Sequence, residues 1–468
     1  MALSGETITS ARVGPPSEFG EHHSPAPAKS WRRAAVAAGA VAVIAGAAAV
    51  VTWPSGGPAS PVADAESLAP IAINQAAGPF ELTRDAASLL IRQDKEGNVD
   101  QAIALLERAV GMDKAFAPAY AHLSDAYLRK HKTRADEQWL RLARETAQRA
   151  VQLNADLAAG HQALAFVQLE AGQRSEAAAG FRRAADLDPV NPFPHVGLGL
   201  VFVAQNQEVD ADGAFRTAIQ LGPEQWRPLL EYGQFFFRRA RYAEAVTQWE
   251  LARKVTPDNV LVLRSLGAVY YVLNRPDEAA SLLQRALEVR PSASTYTNLG
   301  TIRFFQGRYT DAVATFEKAV ELAANNHAYW GNLGDGYRWA PGRRTDAPAA
   351  YRRASQLIQE QIAKQPNDSD LRSRHALYLV KMGDVPAARK SIDGLSARTD
   401  LNAQMLYRLA VVQELAGDRT SALAALARAL KAGYAVKDLR SEPELVAMRT
   451  DARYHRLIDA AGDPSRKP

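Results

Sequence analysis

No cysteine occurs among the 468 residues. That excludes disulfides, thiol nucleophiles and cysteine-ligated zinc or iron–sulfur sites, and leaves the redox compartment open. The local signatures of common chemistries are missing as well. There is no G-x-x-x-x-G-K phosphate loop, no H-E-x-x-H pair, no G-x-S-x-G elbow, and neither the H-R-D nor the D-F-G of a kinase. An enzyme is therefore not expected, and no cofactor is called for. Charge of one sign is scarce too. Lys and Arg number 56 against 51 Asp and Glu, a net +5, too small an excess over this length to imply nucleic acid binding. What remains is an apolar content of 47%, which fits a folded, alanine-rich helical protein.

The dominant positive feature is a period of 34. It runs through Pro189, Pro223, Pro257 and Pro291, through Ala177, Ala211, Ala245 and Ala279, and through Ala184, Ala218, Ala252 and Ala286. Phe181, Phe215, Trp249 and Leu283 fall between the alanine pairs, and Gly199, Gly233 and Gly267 add a further series. Coincident series at one spacing mark a stacked repeat. Within a unit the alanine, the bulky residue and the second alanine share one helical face. Small residues admit a neighbouring helix and the bulky one fills the gap. Proline ends this helix by withholding a donor and disfavouring helix in the residue before it. The glycine belongs in a preceding helix, where a missing side chain permits close contact. Each unit is thus a helix hairpin.

These motifs resemble the tetratricopeptide repeat family. One unit reads Leu263, Leu266, Gly267, Tyr270, Ala279, Leu283, Ala286, Pro291; another reads Tyr296, Leu299, Gly300, Tyr309, Ala312, Phe316, Ala319. A third opens with Trp330, Leu333, Gly334 and Tyr337. The resemblance implies an all-α fold, a right-handed superhelical solenoid of about ten helix hairpins, preceded here by one transmembrane helix. The pattern speaks for fold and hardly for ligand.

Along the chain, residues 1–33 are polar and rich in Gly, Ser and Pro, and read as a disordered cytoplasmic tail. An uncharged run follows, Ala34 to Val51, spanning roughly 27 Å as a helix, about one hydrocarbon core. Trp31 and Trp53 flank it, Arg32 and Arg33 precede it, and the next basic residue is Arg84. Residues 34–53 are accordingly expected to span the cell membrane once and to contact its lipid. The N-terminus would be cytoplasmic and the repeats extracytoplasmic, in the periplasm if the cell is Gram-negative. Two other readings stay open: secretion after cleavage at Ala63-Asp64-Ala65, for which the leader is long, and a buried soluble helix. Ala38, Ala42 and Gly46 form a small-residue stripe through which two anchors could pair into a homo-oligomer. Residues 54–82 read as a flexible linker, residues 83–432 as the repeat array, beginning near Thr83, and residues 433–468 as capping helices and tail. Ser441-Glu-Pro-Glu444 looks like a capping-box start.

The resemblance implies that ligands lie along a concave wall made by the first helices. Inward positions there include Phe193, Val203, Arg227, Phe237, Arg264, Tyr271, Phe304 and Arg338. Val203, Phe237, Tyr271 and Phe304 share one repeat position and would form an apolar ladder flanked by the arginines. Such a groove suits a protein or peptide ligand with apolar side chains and some acidic groups. The alternative is that these side chains pack helix against helix. Asn298 and Asn332 share an inward position, as in family members that bind peptide backbone through asparagine. The lysine and asparagine set that clamps a peptide's C-terminal carboxylate is absent, since its sites read Ala121 and Asp125, Gln162 and Phe166, Arg264 and Ala268. His161 and His195 are conceivable as a metal pair but stand where the family has tryptophan, which favours packing; no metal site is expected. Asp125 and Asp335 read as single solvated carboxylates. Arg129-Lys-His-Lys132 and Arg134 read as a solvated helix extension that could also touch anionic lipid or an acidic partner.

In its order of parts the chain is also similar to the rear half of bacterial regulators. Those carry a cytoplasmic serine/threonine kinase or winged helix, one span, and then tetratricopeptide repeats. Gly331 to Gly342 and Glu442 to Arg453 carry that likeness. The 33 residues ahead of the span are too few to fold as either front domain. Two functions follow as expectations. The first is a membrane-anchored, non-catalytic scaffold binding partners on its concave face. The second is the sensor half of a transmembrane regulator lacking its kinase or DNA-binding domain.

Overall fold

A computed structural model describes residues 77–462 except Asp94, Glu96, Ala135 and Ala435. The expected tail (1–33), the expected span (34–53) and residues 54–76 of the linker lie outside the described residues. Among the described residues every regular element is a helix, and none is long and apolar enough to cross a membrane.

Twenty helices form ten successive hairpins. The first five pairs are α1 (Pro79–Ile91) with α2 (Asn98–Met112), α3 (Ala117–Arg134) with α4 (Glu137–Leu153), α5 (Ala158–Glu170) with α6 (Arg174–Leu187), α7 (Pro192–Ala204) with α8 (Glu208–Leu221), and α9 (Trp226–Arg238) with α10 (Tyr242–Val255). The next five are α11 (Val260–Val272) with α12 (Pro276–Val289), α13 (Ala293–Phe305) with α14 (Tyr309–Leu322), α15 (His327–Trp339) with α16 (Ala347–Lys364), α17 (Ser369–Lys381) with α18 (Val385–Ser391), and α19 (Ala403–Leu415) with α20 (Arg419–Lys431). The first helix opens at Pro79, ahead of the expected Thr83, because proline is favoured in a helix's first turn, where its missing N–H costs nothing.

Local chemistry sets the boundaries. Asn191, Asn259 and Asn326 cap α7, α11 and α15 by accepting backbone N–H bonds from Phe193, Leu261 and Ala328 at 2.9–3.0 Å. At the other end Asp188, Thr256 and Arg290 leave helical geometry just before Pro189, Pro257 and Pro291. Between the helices of a pair the chain turns through a left-handed residue, and Asn206, Ala240 and Asn274 repeat this every 34 positions.

The periodic residues form the core. All eight periodic alanines, together with Phe181, Phe215, Trp249 and Leu283, are fully buried. The glycine series explains how. A methyl group at Gly199, Gly233, Gly300 or Gly334 would lie 2.3–2.8 Å from the ring of Phe215, Trp249, Phe316 or Tyr351 of the same hairpin. The bare helix backbone is thus the floor on which each large ring rests. Successive hairpins are also pinned by tyrosine. The hydroxyls of Tyr127, Tyr232, Tyr270 and Tyr337 donate to Glu107, Asp212, Glu250 and Glu317, each 20 residues earlier on the preceding second helix, at 2.5–2.9 Å.

Each even-numbered helix packs mainly on its own hairpin partner and next on the first helix that follows it, whereas most odd-numbered helices also pack on the next odd-numbered helix along one side. First helices therefore crowd together and line an inner face, as neighbour-only stacking of wedge-shaped units produces. Two hairpins depart from the pattern. In the eighth, a 3-10 turn at Arg344–Asp346 leads into the long α16; in the ninth, α18 has only seven residues.

After α20 come a short helix α21 (Val436–Ser441), 3-10 turns at Pro443–Leu445 and Ala447–Thr450, and α22 (Ala452–Gly462). Leu439, Leu445, Met448, Tyr454 and Ile458 join the core of the last two hairpins. The expected capping box is not formed. The turn beginning at Glu442 has no side-chain cap, and Glu444 is buried against the array instead of reaching back along its own helix.

Candidate partner-binding surface

The inner face holds two polar clusters separated by an apolar middle. In the first, Arg129 pairs with Asp125 at 2.7 Å, one turn apart on α3, and donates to the Leu90 carbonyl on α1 at 2.6 Å. Arg227 of α9 lies with its guanidinium 5.6 Å from the ring of Phe166 on α5, two hairpins earlier, close enough to Asp125 to act on its charge. A side chain can reach across an intervening hairpin only where the wall is concave. Arg227 thus reaches back along the face that Asp125 and Phe166 share. Burial lowers its pKa, and Arg129 adds to the effect. Burial alone would raise the pKa of Asp125, but Arg129 and Arg227 together hold it below the usual carboxylate value. Asp125 is therefore not the solvated single carboxylate expected from sequence. The basic stretch beside it is equally engaged: Lys130 pairs with Asp100, and Lys132 with Glu170 at 3.3 Å. The partners come from other helices, which sequence-local reading does not see.

In the middle, Val203, Tyr271 and Phe304 sit near the ends of α7, α11 and α13 and are half-buried. Phe304 packs edge-on against Tyr309 at 5.2 Å. Phe237 departs from this ladder. It is buried and packs on Trp249 and Tyr242, both at 5.5 Å, because the large indole beneath Gly233 draws it into the core. Phe193 is half-buried at the start of α7. Arg264 is half-buried too; burial first and Arg290 second bring its pKa down to about 10, and Tyr329, two hairpins on, acts in the opposite sense. Asn298 is buried in α13, while Asn332 on α15 is half-buried. The His161 ring nitrogen meets the Ala155 carbonyl at 2.8 Å. Trp330 donates to Ala324 in the same geometry, also six residues back, so histidine takes over the packing role of tryptophan. Among the described residues no His, Asp and Glu cluster could hold a metal.

The second cluster lies at the C-terminal end. Asp335 of α15 accepts from Lys381 of α17 at 2.5 Å and from the Tyr351 hydroxyl at 2.6 Å, so it too is partnered. Glu444 lies 3.2 Å from Arg338 and 3.4 Å from Lys381. Arg338, expected to face a ligand, thus faces the chain's own C-terminal segment. Burial opposes the charge of Lys381, yet Asp335 and Glu444 hold its pKa above that of an ordinary lysine. Beside this group, Arg408 bonds to Ser373 and Asp370, and Arg374 pairs with Asp370 at 2.7 Å. Arg374 and Arg408 are 34 residues apart and were findable from the repeat period. Lys381 and Glu444 carried no such signal, since their partners are far away in sequence.

Residues 196–253, 233–295 and 373–435 match the family described as tetratricopeptide repeat, and residues 293–326 match a second description of the same repeat. The chain carries tetratricopeptide repeats. The matched segments cover hairpins whose caps, buried alanines and glycine floors are those described above. Solved structures similar to this chain include pilF of Pseudomonas aeruginosa, at 19% identity and TM-score 0.39, covering 47% of this chain and 96% of that one. The Cut9–Hcn1 hetero-tetramer of APC/C is similar at 20% identity and TM-score 0.46, covering 62% and 54%. A tetratricopeptide repeat protein from Parabacteroides merdae is similar at 16% identity and TM-score 0.37, covering 55% and 98%. No curated protein matches the sequence.

Proposed function

We propose that this protein is a non-catalytic scaffold that binds peptide or protein partners on the inner face of its tetratricopeptide repeats, tethered to a membrane by residues 34–53. The observation that carries the reading is the middle of the inner face. There half-buried Val203, Tyr271 and Phe304 sit near the C-terminal ends of the first helices α7, α11 and α13, and half-buried Arg227 and Arg264 sit nearer the starts of α9 and α11, a mix of apolar and cationic groups that fits an extended chain with apolar and acidic side chains. Membrane tethering rests on the sequence of the 34–53 run and its flanking Arg32, Arg33, Trp31 and Trp53.

A photo-crosslinking residue placed at Tyr271 in the full-length protein, in native membranes, should trap discrete partners. The same residue at exposed Thr247 on α10 should not. Equal trapping at both positions would remove the inner face from the function. Reporter fusions after Ala65 should be active only outside the cytoplasm, and activity inside it would overturn the orientation.

A further inference from the structure

The wall under the C-terminal segment carries more positive than negative charge until that segment is counted. On the helices Lys381 pairs with Asp335; Glu444 supplies a second carboxylate, shared by Arg338 and Lys381, from a different part of the chain. Its side chain is 4% exposed and that of Lys381 6%, so the segment brings a buried carboxylate to a site where Arg338 and Lys381 offset its charge. Glu442 precedes it in extended geometry, and its backbone carbonyl accepts from Arg449 at 2.6 Å. Glu442 faces Tyr407 of α19, and Leu445 is fully buried. The segment therefore lies against three first helices, Glu442 on α19 and Glu444 on both α15 and α17. A cover for the last hairpin has to sit on its open end, and α22 already packs there against α20. The segment instead occupies the inner face, where the proposed ligand would lie.

Its hold is also imperfect. The Glu444 carboxylate oxygen nearest Arg338 and Lys381 receives an aligned hydrogen bond from neither. Ion pairs of this kind roughly balance their own desolvation, so a competing peptide that repeats the same contacts can exchange with the segment at small net cost.

Building on the inner-face reading, we propose that residues 442–445 are a displaceable internal ligand, and that the surface beneath them, centred on Arg338, Lys381 and Tyr407, is a docking site for an acidic peptide of the pattern Glu-X-Glu followed by an apolar residue. The cations take the second carboxylate, Tyr407 takes the first, and the apolar side chain enters the space of Leu445. Supporting this, burial raises the pKa of Glu442 to about 6, so the first carboxylate sits in a pocket that tolerates it only by virtue of Tyr407 and Lys381. In the closed state the internal segment taxes the affinity of any such partner by the fraction of time it is in place.

The test uses the full-length chain and a fluorescent peptide with the sequence of residues 442–448. Glu444→Lys sets a third cation beside Arg338 and Lys381 and should expel the segment, so that trypsin cuts after Arg449 faster than in the wild type. The peptide should then bind about tenfold tighter or better than to the wild type. A peptide with glutamine in place of both glutamates should not. Glu444→Gln, which introduces no repulsion, should give a smaller gain of the same sign and covers the case in which the lysine variant misfolds. Arg449 as protected in both variants as in the wild type, or an opened segment with no gain in peptide affinity, would overturn the proposal. The Tyr271 crosslink reports on the regular hairpins independently, so that reading survives or falls without reference to this one.

Discussion

Gly233 and Gly213 are 20 residues apart and both helical, yet they face opposite circumstances. A methyl group on Gly233 would sit 2.3 Å from the indole nitrogen of Trp249, whereas one on Gly213 meets nothing within 4 Å. Gly233→Ala should destabilise by about 1–3 kcal/mol, because a fully buried ring has nowhere to move. Gly213→Ala, on an exposed helical position, should stabilise by about 1 kcal/mol through helix propensity alone. Denaturant titration of both variants checks the opposite signs. Ala240 makes the converse case. It holds φ +57 where its repeat equivalents are Asn206 and Asn274, so Ala240→Gly should gain about 0.5–1 kcal/mol by releasing strain, read as a raised unfolding midpoint.

Between elements, the junction of α15 with α17 is the place where pH should be felt. His327 is buried on α15, shares a 3.1 Å hydrogen bond with the Tyr378 hydroxyl on α17, and is faced by Arg374, Asp370 and Arg408. Burial, reinforced by Arg374, lowers its pKa to about 4 from 6.5. The unfolded chain therefore binds this proton more readily than the folded one. The contribution is fully present above pH 6.5 and is lost as pH falls toward 4, up to roughly 3 kcal/mol. Glu442 works in the other direction. With its folded pKa raised to about 6 from 4.5, it favours the folded state below pH 4.5 and loses that contribution as pH rises through 6. His327→Asn should flatten the acid limb of stability between pH 6.5 and 4, and Glu442→Gln should steepen it. Chemical denaturation at stepped pH gives both slopes, and an unchanged acid limb in His327→Asn would remove histidine burial as its cause.

For the whole molecule, stability is a sum over hairpins and the interfaces between neighbours. Removing residues 192–225 takes out α7 and α8 together and joins Asn191 to Trp226, the equivalent point one repeat later. That deletion should leave a cooperatively folded helical protein with a smaller denaturant slope, in proportion to its length. Removing only residues 192–207 strips α7 and leaves the buried face of α8 without its floor, and should yield aggregation. Circular dichroism during urea unfolding separates the two. Loss of cooperativity in the 34-residue deletion would mean that one central core, and not neighbour packing, holds the chain together.

The array was legible in advance because its physics is local and repeated. An alanine, a bulky ring and a glycine recur at fixed spacing wherever one helix must rest on another, and proline and asparagine recur wherever a helix stops or starts. Inward placement of Arg227 followed from the same register, and the arginine pair at 374 and 408 lay within it. The sequence alone therefore determined the helix hairpins and their number. Only the tertiary structure decided that Phe237 turns into the core, that Asp125 and Asp335 are ion-paired, and that Glu444 lies against Arg338 and Lys381. Arg227 beside Asp125, Lys381 on Asp335 and Glu444 on Arg338 are brought together from distant parts of the chain, and the partner of such a charge is set by where the backbone carries it, not by its neighbours in sequence.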